Sequence, residues 1–136
     1  MTTKEWFRRG WKLNTEIDKL MASRDAVLAK VTSVTASLSG VVVDGTKDPH
    51  KFDRLAEYED NIDRHIDEYV TVMNEIEGVI HKITDVRYRN LLLDRYKLFK
   101  TWEQIAVDEG YDIRHIWRLH GEALKAAEEY IPEAAK

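Results

Sequence analysis

TWEQIAVDEGYDIRHIWRLHGEALKAAEEY, residues 101–130, decides the fold. Thr101 offers a hydroxyl at the head of a helical run, and Gln104, three residues on, completes a capping box. Gly110 ends that run where the chain needs a residue free to adopt a left-handed backbone. Asp112 can cap a second helix, which Ile113 to His120 continue without a breaker. Ile105, Ile116, Leu119 and Ala123 fall on inward faces, and the small Ala106 permits close approach. The segment reads as a short helix, a sharp turn and a second helix.

Upstream, apolar residues recur every three or four positions. Trp6, Gly10, Leu13, Ile17, Leu20, Arg24, Val27, Val31, Val34 and Leu38 form one coiled-coil seam. Phe52, Leu55, Glu59, Ile62, Ile66, Tyr69, Met73, Ile76, Ile80 and Ile83 form a second. Residues 39–48, with two glycines and a β-branched run, argue for a loop, and Asp48-Pro49 supplies a helix start. Two seams of equal length predict an antiparallel hairpin in which Trp6 meets Ile83, Leu13 meets Ile76, Leu20 meets Tyr69 and Arg24 faces Ile66. Surplus apolar residues beside the seams (Phe7, Trp11, Met21, Leu28, Val70, Val72 and Val79) imply a second buried face, covered by the C-terminal helices or by another copy of the chain.

The expected fold is therefore all-α: a long antiparallel helical hairpin at 1–84, then a helix-turn-helix domain at 85–136. Helices are expected at 3–37, 49–83, 86–99, 102–109 and 113–130. Charged residues at 34% suit the wet faces of such helices. The absence of Cys excludes a disulfide framework, a cysteine zinc site and a thiol nucleophile. No apolar run reaches the length of a membrane span. Lys4, Arg8, Arg9 and Lys12 have no apolar stretch behind them, so they do not read as a signal peptide, and a cytoplasmic location is expected.

Catalytic constellations are missing from the sequence. The acidic run from Asp53 to Glu77 lacks the Glu-x-x-His pairs of a di-iron bundle and reads as a solvated face. His115 and His120 are five apart, off the spacing of zinc-binding helices. With no phosphate loop and no nucleophile elbow, neither an enzyme nor a cofactor is expected. His120 is expected to make a structural hydrogen bond, Trp102 to be at least partly buried and Trp117 to face outward.

Thr101, Glu103-Gln104, Ile105-Ala106, Asp108-Glu109, Gly110, Ile116 and Ala123-Leu124 resemble the fourth conserved region of sigma factors, and Leu91-Leu92 with Arg95-Tyr96 resemble the helix that opens it. The pattern departs at Asp112, where Ser or Thr is usual, and at Trp117, where a basic residue is usual. Over the whole chain, Tyr96, Thr101-Trp102, Ile105-Ala106 and the run Arg118 to Leu124 are similar to proteins of Gram-positive phages and prophages related to late-operon transcriptional activators of the RinA or ArpU type. The resemblance implies a transcriptional regulator that binds double-stranded DNA, with RNA polymerase as a further partner. It places Ile113, Arg114, His115, Trp117 and Arg118 at the bases, and Thr101, Lys100 and Arg95 at phosphates. Residues 85–136 hold nine Lys and Arg against ten Asp and Glu, so a dimer or a polymerase partner would have to add affinity. An adaptor that binds polymerase without reading DNA is the alternative.

Overall fold

The computed structural model describes residues 1–37 and 51–135. Among these residues every regular element is helical: α1 Thr3–Ser37, α2 Lys51–Lys82, α3 Val86–Tyr96, α4 Trp102–Glu109 and α5 Ile113–Ala127, followed by short 3-10 turns at Glu128–Tyr130 and Glu133–Ala135. No helix among them is long and apolar enough to cross a membrane. The expected loop at 39–48, the Asp48-Pro49 helix start, the seam position Leu38 and His50 lie outside the described residues.

Local chemistry sets the helix ends. Thr2 and Glu5 exchange hydrogen bonds at the head of α1, Thr2 N–H to Glu5 Oε2 at 2.9 Å and Glu5 N–H to Thr2 Oγ1 at 3.1 Å, a capping box that satisfies two free amides. α3 stops at Tyr96 rather than at the expected Phe99, because Phe99 takes a left-handed φ of 56°. The N–H groups of Leu98 and Lys100 then turn back to the carbonyls of Leu93 and Asp94, both at 3.0 Å. A non-glycine residue in that region is strained and has to be held by its surroundings. Here Arg95 Nη1 donates to the Lys100 carbonyl at 2.9 Å and closes the turn. α5 likewise ends at Ala127, where the backbone tightens into a 3-10 turn ahead of Pro132.

The chain packs as two compact units. One unit comprises Met1–Leu13 with Tyr69–Lys136, the other Asn14–Glu68. In the first, Trp6 and Phe7 of α1 and Met73, Ile76, Val79, Ile80 and Ile83 at the end of α2 share one buried cluster with Leu92, Tyr96, Ala123, Ala127 and Ile131. Phe7, Val72 and Val79, surplus to the seam, are therefore covered by this chain's own C-terminal helices. Trp11 and Val70 stay exposed. Leu91, Ile105, Ile116 and Leu119 form a smaller core with Tyr88, Trp102 and Ala106 packed against it.

The register differs from the one expected. Gly10 lies against Met73 and Ile76, and a Cβ built there would meet Met73 Sδ at 2.5 Å, so the missing side chain is the hollow that receives the thioether. In the Asn14–Glu68 unit, Arg24 Nη1 bonds Glu59 Oε1 at 3.1 Å rather than facing Ile66, and His65 Nε2 lies 3.3 Å from Glu16. A heptad pattern slid by one repeat still matches apolar with apolar, so periodicity cannot choose between such registers. The polar seam members distinguish them, since only in a register that brings Glu59 beside Arg24 does the guanidinium bridge Glu59 as well as its neighbour Asp25. Only Ile17 and Ile62 are buried hydrophobics among the described residues of this unit.

Candidate nucleic-acid interface

The α4–α5 segment is built as its sequence dictates. Thr101 Oγ1 accepts from Gln104 N–H at 3.2 Å while Gln104 Oε1 accepts from Thr101 N–H at 3.0 Å. Gly110 has φ 69° and ψ 28°, and Tyr111 N–H returns to the Ala106 carbonyl at 3.0 Å. Asp112 stands at the head of α5 with an extended backbone, but its side chain makes no capping bond. Its carbonyl instead accepts from the N–H groups of His115 at 3.0 Å and Ile116 at 3.1 Å. Ile105, Ile116, Leu119 and Ala123 are all buried, so one face of α5 is committed to the core.

The opposite face carries the sequence-assigned base readers. Arg114, Trp117 and Arg118 are exposed, Trp117 to 52%, while Ile113 and His115 are half-buried. Arg118 donates from Nη2 to His115 Nδ1 at 2.7 Å, and the His115 ring meets Tyr111 edge-on with centroids 4.6 Å apart. These contacts hold Arg118 against its own helix. Arg114 makes no ion pair with the described residues, which leaves its guanidinium open to a partner.

The residues assigned to phosphates sit differently. Lys100 Nζ lies 3.1 Å from Asp108 and 3.4 Å from Asp94, and the Asp108 hydrogen bond pushes its pKa up. Arg95 closes the α3–α4 turn and lays its guanidinium 4.3 Å from the centre of the Trp102 ring. Thr101 is occupied by its capping box. The structure thus gathers Arg114, Trp117 and Arg118 on one face of α5 and engages Thr101, Lys100 and Arg95 in closing the turn before α4.

Behind α4, His120 is buried at 8% exposure and shares a 2.7 Å hydrogen bond with the Tyr96 hydroxyl. The Trp102 ring meets it edge-on at 4.6 Å. Burial first, then the positive charges of Lys4 and Arg95, depress its pKa to about 4, so the ring is neutral at pH 7. Burial raises the Tyr96 phenol to about 12.

Sequence reasoning missed two cations beside this cluster, Lys4 and Arg8. Their i, i+4 spacing on α1 places both on one helix face and was the available signal. No family model matches this chain, and no curated protein or solved structure does either.

Proposed function

We propose that this chain is a transcriptional regulator of the phage type, in which a helix-turn-helix formed by α4 and α5 binds double-stranded DNA and follows, in sequence, an antiparallel hairpin of α1 and α2. The supporting observation is the division of α5 into a buried face (Ile116, Leu119, Ala123) and an exposed one bearing Arg114 and Arg118 one turn apart. A helix seated in the major groove needs that division, and Arg is the best donor to guanine O6 and N7. Arg114→Ala or Arg118→Ala should each cost roughly 1–3 kcal/mol of specific DNA binding and relax preference at single positions. Fluorescence anisotropy over a salt series, with DNA flanking the chain's own gene, measures it. If both variants bind like the parent, α5 does not read bases.

A second reading is favoured by Trp117. An apolar surface of that size, within residues 85–136 whose charges nearly balance, suits a protein contact, such as one with RNA polymerase. Co-purification with polymerase, lost in Trp117→Ala and unaccompanied by salt-sensitive DNA affinity, would select this adaptor role.

We also propose self-association, because Met21 and Leu28 remain exposed on α1 in a unit with few buried hydrophobics. Sedimentation at micromolar concentration should show a species larger than 15.9 kDa, which the double substitution Met21→Gln, Leu28→Gln reduces to monomer. A purely monomeric parent refutes it.

A further inference from the structure

A cavity of about 250 Å³ opens between the start of α1, the end of α3 and the start of α4. Three of its lining residues are cations, Lys4, Arg8 and Arg95, and none is acidic. The three form no ion pair with the described residues, although the chain as a whole carries a net charge of −4. Like charges gathered without counterions repel, and a site with such a charge excess favours an anion.

The remaining walls are aromatic: Trp11, Tyr96, Phe99 and Trp102. Two of the cations lean on them, Arg8 at 5.2 Å from the Trp11 ring centre and Arg95 at 4.3 Å from that of Trp102. Stacking orients a guanidinium without neutralising it, and Arg95, whose Nη1 is given to the Lys100 carbonyl, still has other N–H groups to offer an oxyanion. The positive potential reaches inward, since Lys4 and Arg95 both depress His120.

We infer that this cleft binds a nucleotide, its phosphate against Lys4, Arg8 and Arg95 and its flat base against the aromatic walls. A phosphate monoester approaches two negative charges at neutral pH, which suits three cations better than a carboxylate does. Aromatic walls favour a flat ring over an acyl chain. The occupant is a free mononucleotide or a nucleotide within a nucleic-acid strand. The cleft is separate from the exposed face of α5, so the inference does not depend on base reading by Arg114.

Calorimetric titration of the full chain with AMP, adenosine and inorganic phosphate tests this, with tryptophan fluorescence as a parallel readout because Trp11 and Trp102 line the cleft. AMP should bind with a submillimolar Kd, and adenosine and phosphate at least tenfold more weakly. Lys4→Gln and Arg8→Gln replace exposed side chains and should keep the fold, checked by circular dichroism, while weakening AMP about tenfold each. Arg114→Ala should bind AMP like the parent. If AMP fails to bind but a single-stranded oligonucleotide binds and loses at least tenfold in both Gln variants, the strand is the source. No AMP binding at millimolar concentration together with oligonucleotide binding indifferent to both variants overturns the inference. AMP binding indifferent to both variants also overturns it.

Discussion

Replacing Phe7 by Ala should destabilise the protein by about 3–5 kcal/mol, the range for truncating a fully enclosed aromatic. Phe7 has no exposed surface and lies between Trp6, whose ring meets it edge-on at 5.2 Å, and Tyr96, at 5.2 Å in a tilted stack. Truncation removes the transfer free energy of the ring and leaves a void that α1, α2 and α3 cannot all close at once, since each is held by other contacts. Val70→Ala, at a position 50% exposed in the same unit, should change stability by only about 0.5 kcal/mol. Urea unfolding followed by circular dichroism measures both. Equal losses from the two substitutions would mean that the start of α1 is not part of this core.

Acidification should act through His120. Its pKa is depressed in the folded chain from 6.5 to about 4, so the unfolded chain binds more protons between those values and stability falls as pH falls. The contribution of the neutral ring is complete above pH 6.5 and is lost on descending to pH 4. The shift corresponds to about 3 kcal/mol over that window. His120→Gln keeps a hydrogen-bonding group for the Tyr96 hydroxyl but cannot titrate. The difference in unfolding free energy between parent and variant should therefore narrow or reverse from pH 7 to pH 4. A difference that stays constant would mean that His120 keeps its solution pKa.

What could be read from the sequence was local. The Thr101–Gln104 box, the Gly110 turn and the buried face of α5 rest on residues within a few positions of one another, so their chemistry is present in any short window. The pairing of Arg24 with Glu59 was legible in principle, as the two seams carry those exceptions in plain view, but apolar matching alone left the register degenerate. Phe7 and Trp11 looked alike because periodicity reports a face and not what covers it. That Lys100 reaches Asp94 and Asp108, and Arg95 the Lys100 carbonyl, depends on the turn through the left-handed Phe99, a conformation that no Phe announces. The cationic cleft joins residues 4 and 8 to residue 95, a proximity that only the fold creates.

The alliance of Met1–Leu13 with Tyr69–Lys136 has a consequence for synthesis on the ribosome. Trp6 and Phe7 leave the ribosome well before Leu92, Tyr96, Ala123 and Ile131, the residues that share their cluster. At elongation rates of about 5–20 residues per second, the delay is on the order of 10 s. Throughout that interval the nascent chain displays an uncovered aromatic pair, the kind of surface that holdase chaperones bind and that drives neighbouring polysomal chains together. Emergence of the segment that carries Ile131, rather than of the first helix, is then the event that ends this exposure.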